Sequence, residues 1–373
     1  MNAERVVEMY DFYAYFNGTK DMLGRVGPVK RNLVNLSSAN PSDGFEAYVK
    51  RKDVPLIDHS LCKYVFTTSF GPDITLALLH RLGNGEEASL TVCHSATSAL
   101  FCTMLHVKNC GCVKVAIVAP YYFSIYRQCE VLGIDYVVIP VLADNRLPVL
   151  EILAVNPDAV IVTSPLYSSG EYLPEEQLRS DLMLLRGKIK WMIFDEALAL
   201  PGRELSRLMT IDPSVFFIYS PHKSIGFNAF KFAEILCDKK HETAIRQVVE
   251  SFAPLNVSCV CAVDHYLSSA FSEYVSSYYN WVNRNRKAAE EIMHKSYANV
   301  PGHFISVPAS IVCPRVETYL KDLYKLAMER AVIFLPPWPF WKYGFRINLL
   351  LLEDDLKKGL FAMKTLSWIQ EQG

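Results

Sequence analysis

Short apolar runs alternate with amphipathic stretches through the middle of the chain. Between residues 90 and 238 the apolar runs are rich in β-branched residues and have few polar positions, as expected for strands covered on both faces. These runs lie at 90–93, 113–119, 136–141, 159–163, 191–194, 215–219 and 230–237. Between them, apolar residues recur at helical spacing over 97–107, 124–132 and 175–185. The alternation predicts an α/β fold, with a mostly parallel seven-stranded sheet and helices on both faces of the sheet.

The pattern changes after residue 237. Helical spacing continues there, and short strand-like runs appear near the C-terminal end. The predicted helices are 239–252, 267–296 and 317–330, and the predicted strands are 304–307, 311–313 and 345–351. Because these segments lack the regular strand–helix alternation, they indicate an α+β unit. We therefore predict a large α/β domain over residues 46–254, and a smaller α+β domain built from residues 1–45 and 255–373.

One uncharged segment has about the length of a membrane-spanning helix. Residues 88–107 carry no formal charge, but they are rich in Ser, Thr, His and Cys, which favours buried protein interior over a membrane span. The N-terminus has charged residues at Glu4, Arg5 and Glu8 and no apolar core of a secretory leader. We therefore expect a cytoplasmic protein without a membrane partner.

The composition of the chain argues against several classes of protein. The chain has 373 residues, of which 51% are hydrophobic, and its 38 basic and 39 acidic residues give a net charge of -1. This composition excludes a disordered chain and argues against a nucleic-acid partner, which requires a basic field. None of the ten cysteines forms a CxxC pair, so we expect no metal site and free thiols in a reducing compartment.

Small and aromatic residues follow the first two predicted strands. Ligands of an open parallel sheet bind at the carboxyl ends of its strands, so these positions are candidates for a binding site. Ser95, Ala96 and Thr97 open a helix after the first strand, where hydroxyls and free backbone N–H groups bind phosphate well. The alternative to a phosphate site is that this helix start is an ordinary N-cap. Tyr122 brings an aromatic ring to the same edge after the second strand.

An acid and an amine follow two later strands. Asp195 ends the fifth strand, and Lys223 comes soon after the sixth. Taken singly, Asp195 could cap a helix and Lys223 could be a surface lysine. Together with the helix start and the aromatic ring, they match the groups that bind pyridoxal phosphate: an amine for the aldehyde, a carboxylate for the pyridine nitrogen, and a ring stack.

In these residues and their order, the chain resembles the fold-type I pyridoxal-phosphate enzymes of the class I/II aminotransferase group. The resemblance covers most of the chain, is strongest over 95–233, and includes a late match at Phe345-Arg346-Ile347-Asn348. It implies that Lys223 forms a Schiff base with pyridoxal 5′-phosphate. It also implies that Asp195, in the Asp-Glu-Ala motif, holds the pyridinium proton, and that Tyr122 stacks on the ring. Lys223, Asp195 and Tyr122 are the implied catalytic residues.

The same resemblance implies two anion-binding groups. The cofactor phosphate would be bound by Ser95, Ala96, Thr97, Ser220 and Lys231. Lys231 stands where the family usually has an arginine. Arg346 matches the family's arginine that binds the substrate α-carboxylate bidentately, a geometry that lysine cannot reproduce.

Two departures from the family pattern concern the cofactor's phenolic oxygen. Tyr167 stands where the family has an asparagine that hydrogen-bonds this oxygen, and Leu198 stands where it has a tyrosine that is the second donor. Losing both donors should raise the pKa of the lysine-bound cofactor, because the deprotonated oxygen is less stabilised. We hypothesise that the Tyr167 hydroxyl takes over one of these contacts, which makes it a further cofactor-binding residue.

These features predict an aminotransferase of amino-acid metabolism and biosynthesis, acting on an L-α-amino acid and yielding a keto acid. Lys223 would also act as the general base at the α-carbon. The same residues could serve a lyase, a cyclase or an oxidase acting on an amino acid, and a catalytically inactive binding protein of this fold is a third reading. Because the family shares its active site between two subunits, the resemblance also implies a homodimer.

Overall fold

The structure is a computed structural model, and it describes the greater part of the chain. The described residues are 34–35, 42–50, 70, 72–83, 88–142, 144–166, 172–207, 211–224, 226, 231–293, 304–307, 330, 332–333 and 345–365. Tyr167, the predicted strand 311–313 and residues 317–329 of a predicted helix lie outside them. For Lys223 and Arg346, the structure describes the backbone.

The described chain contains eleven strands and eleven α-helices. The strands are β1 (Val34–Asn35), β2 (Ala88–Cys93), β3 (Lys114–Ala119), β4 (Asp135–Pro140), β5 (Ala159–Thr163), β6 (Trp191–Glu196), β7 (Val215–Tyr219), β8 (Ala233–Asp238), β9 (Phe304–Val307), β10 (Val332–Ile333) and β11 (Phe345–Asn348). The helices are α1 (Asp43–Lys50), α2 (Pro72–Arg81), α3 (Ala96–Asn109), α4 (Ser124–Leu132), α5 (Val149–Val155), α6 (Glu175–Leu185), α7 (Pro221–Ser224), α8 (Glu242–Phe252), α9 (Val257–Leu267), α10 (Ala270–Met293) and α11 (Glu353–Met363). Two short 3-10 helices occupy Leu205–Arg207 and Lys239–His241.

The seven predicted apolar runs all form strands of one sheet. Its strand order is β2-β8-β7-β6-β5-β3-β4, and the pairs among β7, β6, β5, β3 and β4 are parallel. Strand β8 runs antiparallel to both of its neighbours. Strands β5 and β7 are buried along their whole length, which accounts for their continuous apolar sequence. The predicted mostly parallel α/β fold is confirmed.

The uncharged segment 88–107 forms β2 and most of α3, so its apolar character belongs to the protein interior. Helix α3 packs against α4 and α8 and against several strands of the sheet. Within the part of the chain that the structure describes, no helix has both the length and the apolar character needed to cross a bilayer.

Helix α9 is not predicted by the sequence pattern. The prediction begins a single long helix at 267, whereas the structure has α9 and α10 on either side of Ser268, whose backbone is extended (φ -73°, ψ 158°). Asn256 caps α9 by accepting a hydrogen bond from the Cys259 backbone N–H over 3.0 Å. The helix is mostly apolar, with Ser258, Asp264 and His265 as its polar residues, so its sequence carries only a weak signal of helical periodicity.

The chain divides into two compact units. One unit comprises Pro55–Tyr167 and Glu171–Ser272 and contains the seven-stranded sheet; the other comprises Met1–Val54, Ser168–Gly170 and Glu273–Gly373. The units are defined by the density of contacts among their residues and do not test the domain boundaries. The boundaries at residues 46 and 254 therefore stay a prediction.

The second unit has two small sheets of its own. Strand β1 pairs in parallel with β10, and β11 pairs antiparallel with β9, so that Arg346 stands opposite Ser306. The turn after β11 is fixed by the Asn285 side chain, which donates hydrogen bonds of 2.7 Å to the Leu349 and Leu351 carbonyls. Asn285 is fully buried, so this contact anchors the strand that carries Arg346 to α10.

Candidate active site

A pocket lies at the carboxyl ends of β3, β5 and β6, on the edge where a parallel sheet binds its ligands. Its lining includes Ala96, Thr97, Leu100, Tyr121, Tyr122, Thr163, Asp195, Ala197 and Leu198. The structure therefore brings four of the predicted site residues to one pocket: Ala96, Thr97, Tyr122 and Asp195. They come from the start of α3, the loop after β3 and the end of β6.

The strand register explains the position of Asp195. In the parallel pair of β5 and β6, Asp195 stands beside Thr163, which also lines the pocket. Side chains alternate along a strand, so the following residue, Glu196, points to the opposite face of the sheet. Glu196 is fully buried there.

Both carboxylate oxygens of Asp195 accept a hydrogen bond. Oδ1 accepts from the backbone N–H of Ala197 over 2.9 Å, and Oδ2 accepts from the Tyr121 hydroxyl over 2.9 Å. Burial, and next the charge of Asp195, raise the pKa of Tyr121 well above its ordinary value, so the phenol keeps its proton and donates it. The carboxylate is therefore held from two directions while it faces the pocket.

Tyr121 is a site residue that the sequence did not identify. Two tyrosines follow β3, and no periodicity in a loop tells which of them points inward. The structure gives them different positions. Tyr121 is buried against Asp195, while Tyr122 is half-buried, lines the pocket, and has its ring centroid 4.4 Å from that of Phe123.

The start of α3 is an N-cap built from hydroxyls. The Ser95 Oγ accepts from the Ser98 backbone N–H over 3.2 Å and lies 2.9 Å from the Ser98 Oγ, which is itself 2.8 Å from Nε2 of His94. The ordinary N-cap considered for Ser95 is therefore present. It leaves the backbone N–H groups of the first turn, at Ala96 and Thr97, without an intrahelical acceptor, and these are the groups that bind anions at a helix start.

Ser220 is buried under the turn that carries Lys223. Its hydroxyl donates to the Phe232 carbonyl over 2.9 Å and lies 2.8 Å from Nδ1 of His222. The same Nδ1 lies 2.9 Å from the Phe232 carbonyl, and because a carbonyl oxygen only accepts, this nitrogen carries the proton. These bonds tie the β7–α7 turn to the residue before β8. A role for Ser220 in binding phosphate remains a prediction.

The two other predicted anion-binding residues occupy different surroundings. Lys231 is exposed, and its backbone carbonyl accepts a hydrogen bond from the Cys259 thiol of α9 over 3.2 Å. Arg346 belongs to β11 in the other compact unit. Their proposed contacts with phosphate and with a substrate carboxylate remain predictions.

The pocket chemistry fits pyridoxal phosphate. A carboxylate with a fixed orientation suits a pyridinium nitrogen, the half-buried Tyr122 ring suits a flat heterocycle, and the open helix start suits a phosphate. Apolar side chains complete the lining, among them Leu198, which stands where the resembled family has a tyrosine. Leu198 supplies no hydrogen-bond donor, so this departure from the family lies in the pocket itself.

Several solved aminotransferases share the fold of this chain. Aspartate aminotransferase from Thermus thermophilus, solved with maleate, superposes with a TM-score of 0.71 at 16% identity, covering 94% of this chain and 95% of its own. YbdL from Escherichia coli, described as a methionine aminotransferase, gives a TM-score of 0.69 at 15% identity over 94% and 97%. Kynurenine aminotransferase from Pyrococcus horikoshii, solved with PMP, gives 0.68 at 14% identity over 94% and 93%.

No protein-family model matches the sequence, and no curated protein matches it by sequence. The likeness is therefore one of three-dimensional structure. It extends over nearly the whole length of both chains in each comparison. The chain has the fold of these aminotransferases, with its pocket at the carboxyl ends of the central parallel strands.

Proposed function

We propose that the protein is a pyridoxal-phosphate-dependent aminotransferase acting on an L-α-amino acid. The observation that carries this proposal is the pocket in which the doubly hydrogen-bonded Asp195 carboxylate, the Tyr122 ring and the open start of α3 lie together. The aminotransferases that share the fold support the same reaction class, because they act on different amino acids with one architecture.

In this proposal, each group of the cofactor has a partner in the chain. The Asp195 carboxylate holds the proton of the ring nitrogen, and Tyr122 packs against the ring. Lys223 supplies the amine that binds the aldehyde carbon. The phosphate is held by Ser95, Ala96, Thr97, Ser220 and Lys231, and the Tyr167 hydroxyl contacts the phenolic oxygen. When bound, pyridoxal phosphate supplies an electron-withdrawing ring that acidifies the α-carbon of the amino acid.

The remaining steps belong to side chains. Arg346 binds the substrate α-carboxylate with two parallel hydrogen bonds and so fixes the direction in which the Cα–H bond points. The Lys223 amine would hold the aldehyde end of the cofactor and, when free, would serve as the general base for the Cα proton of the substrate. An ionised Asp195 carboxylate would hold the proton on the ring nitrogen, and the protonated ring would supply the electron-withdrawing chemistry.

Replacing Lys223 tests the central assignment. Wild-type protein mixed with pyridoxal phosphate should show the absorbance band of a lysine-bound cofactor, and an L-amino acid should convert the band to that of pyridoxamine phosphate while a keto acid appears. Lys223→Ala should abolish both signals, because no amine is left to bind the aldehyde. The exposed Lys239→Ala is the matched control and should behave as the wild type.

Two results would contradict the proposal. Activity retained by Lys223→Ala would show that another group does the chemistry. Wild-type protein that gives no band at any pyridoxal phosphate concentration would favour the inactive binding protein of the same fold.

An elimination, cyclisation or oxidation of an amino acid is the second candidate. It is favoured by Leu198, a pocket residue without a donor for the phenolic oxygen, because that oxygen's surroundings tune the basicity of the bound cofactor. The products distinguish the two candidates. An aminotransferase yields keto acid and pyridoxamine phosphate from a single substrate, whereas a lyase releases ammonia or a leaving group and retains the original absorbance band.

We also propose that the protein is a cytoplasmic homodimer whose partners are small amino-acid and keto-acid molecules. The eight described cysteines are all free thiols, as a reducing compartment allows. Light scattering during size-exclusion chromatography measures the assembly directly. A mass close to the monomer's 42.3 kDa would contradict the dimer.

A further inference from the structure

Tyr121 is a buried phenol at the candidate site to which the scheme above gives no role. Its side chain is 2% exposed, and its hydroxyl donates to Oδ2 of Asp195 over 2.9 Å. We infer that Tyr121 is a positioning residue that acts through Asp195. It fixes the orientation of the carboxylate and keeps it ionised, so that the proton shared with the cofactor's ring nitrogen stays on the nitrogen. This inference rests on the proposed function.

The direction of the hydrogen bond supports this role. Burial and the adjacent carboxylate both raise the pKa of Tyr121 well above its ordinary value, so Tyr121 is a neutral phenol over the whole working range of pH. A neutral hydroxyl beside a carboxylate donates to it, and a donated hydrogen bond stabilises the ionised form of the acid. A carboxylate stabilised in this way has less tendency to take the proton from the pyridine nitrogen.

The geometry around Asp195 shows how its orientation is set. The Ala197 backbone N–H donates to Oδ1 and Tyr121 donates to Oδ2, so the two oxygens are held by different elements. Thr163, the register partner of Asp195 on β5, directs its hydroxyl to the Pro165 carbonyl over 2.9 Å. Removing the Tyr121 hydroxyl therefore takes away the restraint on Oδ2 that this phenol supplies. The Thr163 hydroxyl is already engaged with the Pro165 carbonyl.

Loss of the Tyr121 hydroxyl should weaken the binding of pyridoxal phosphate, which can be measured in the absence of a substrate. Without the phenol donor the carboxylate holds a proton more readily, and the ring nitrogen loses part of its own. The attraction between pyridinium and carboxylate weakens accordingly. We expect Tyr121→Phe to lower the affinity for pyridoxal phosphate about tenfold, as is usual for the loss of one hydrogen bond to a charged group.

The experiment compares Tyr121→Phe with Tyr126→Phe. Tyr126 is also fully buried, and among the described residues its hydroxyl has no hydrogen-bond partner, so the same atom is removed without breaking a bond. Two quantities are measured: the dissociation constant for pyridoxal phosphate, and the 15N chemical shift of cofactor labelled at the ring nitrogen. Tyr121→Phe should weaken binding and move the shift towards the unprotonated value, while Tyr126→Phe should leave both unchanged.

A double-mutant cycle distinguishes action through Asp195 from a general packing role. In an Asp195→Asn background the acceptor no longer carries charge, so Tyr121→Phe should have little further effect on the affinity or the 15N shift. Site-specific 3-fluorotyrosine at position 121 has nearly the shape of tyrosine and is a stronger donor. It should move the 15N shift in the direction opposite to that seen for Tyr121→Phe, and it keeps the test valid if Tyr121→Phe folds poorly.

The outcomes separate the inference from the function on which it rests. If wild-type protein binds pyridoxal phosphate and the two substitutions at position 121 leave the affinity and the 15N shift at wild-type values, the positioning role is overturned and the aminotransferase proposal stands. Equal losses in the wild-type and Asp195→Asn backgrounds would also overturn it, since Tyr121 would then act by packing. Wild-type protein that binds no pyridoxal phosphate overturns both.

Discussion

Two buried glutamates lie on the face of the sheet opposite the pocket. Glu196 on β6, Tyr219 on β7 and Glu234 on β8 stand side by side in register, so their side chains share one face. Glu234 is 0% exposed, and within the described part of the chain neither of its carboxyl oxygens has a hydrogen-bond partner. A buried carboxyl without a donor is stable only when it is protonated.

Glu234→Gln should therefore stabilise the protein at alkaline pH. Burial, and next the charge of Glu204, raise the pKa of Glu234 from 4.5 to about 8. The folded state thus binds more protons than the unfolded state between these values, and stability is lost as pH rises through this window. Glutamine stays neutral, so urea denaturation should find the variant close to wild type at pH 4.5 and more stable by up to a few kcal/mol at pH 9.

The exposed Glu151→Gln is the control for this prediction. It removes the same charge at a solvated position, so its stability should follow the wild-type curve at both pH values. A Glu234→Gln variant whose stability falls with pH as steeply as that of the wild type would show that Glu234 is ionised in the folded protein. Burial also raises the pKa of Glu196 to about 8, so part of the alkaline loss should persist in the variant.

Two of the residues that line the pocket can be predicted from the ends of the strands. Asp195 directly follows the apolar run 191–194, and Tyr122 comes three residues after the run 113–119. Parallel strands present their carboxyl ends at one edge of the sheet. Tyr121 and Glu234 could not be found in this way. The direction of a loop tyrosine, and the lack of a partner for an acid inside a strand, depend on residues that are distant along the chain.

At the scale of elements, α3 runs from the pocket, at the carboxyl ends of the parallel strands, towards their amino ends. The N-terminus of α3 lies at the pocket. In its last turn, Nε2 of His106 lies 3.0 Å from Nδ1 of His241. Nε2 of His241 donates to the Pro213 carbonyl over 2.8 Å, so its Nδ1 is the unprotonated nitrogen, and His106 is the donor in the pair. The bond joins α3 to the 3-10 helix before α8.

This histidine pair should make the protein acid-sensitive. Burial, and next His241, lower the pKa of His106 from 6.5 to about 4, and burial also lowers the pKa of His241. Because the unfolded state binds more protons in this window, stability falls as pH decreases from 6.5 towards 4. His106→Gln keeps an N–H donor and does not titrate, so its urea midpoint should fall less than that of the wild type between pH 6.5 and 4.5.

His80→Gln is the control, since His80 lies exposed on α2 and should leave the acid loss of stability unchanged. The prediction is contradicted if His106→Gln and wild-type protein lose equal stability on acidification. Titration of the His106 ring by NMR would then give a midpoint near 6.5 in the folded protein, and burial would not be governing its protonation.

Elements with strong periodicity can be predicted from the sequence, and the exceptions have physical reasons. Helices α4 and α6 have the predicted bounds because their apolar residues recur on one face. Helix α9 is mostly apolar and gives only a weak signal of this kind. The antiparallel direction of β8 cannot be predicted from the sequence either, since a strand buried at all but its last residue has the same apolar pattern in either direction.

At the scale of the whole molecule, a nearly neutral net charge is compatible with the local anion site proposed above. The net charge of -1 gives no hint of such a site, because the site would use backbone N–H groups at the start of α3 and a few side chains. The pocket belongs to the unit that contains the large sheet, whereas Arg346 belongs to the unit that contains β11. The proposed cofactor contacts and the proposed carboxylate contact of Arg346 can therefore be tested with separate substitutions.

Cofactor binding should stabilise the folded protein even without the lysine linkage. A ligand that binds the native state alone contributes RT ln(1 + [L]/Kd), which is about 2.7 kcal/mol at a hundredfold excess over Kd, so the melting temperature should rise by a few degrees. Pyridoxine 5′-phosphate has the ring and the phosphate but no aldehyde, and it should raise the melting temperature of wild-type protein and of Lys223→Ala alike. Pyridoxal phosphate should raise that of the wild type further.

The Arg346→Ala variant distinguishes the proposed substrate contact of Arg346 from the proposed cofactor contacts in the pocket. It should leave both melting shifts unchanged, because the proposed contact of Arg346 is with the substrate carboxylate, and it should raise the amino-acid concentration needed to convert the bound cofactor. An Arg346→Ala variant that lost the melting shift would place Arg346 among the cofactor contacts. If neither ligand raised the melting temperature of wild-type protein, the pocket at the carboxyl ends of β3, β5 and β6 would not be a cofactor site, since native-state binding cannot occur without this stabilisation.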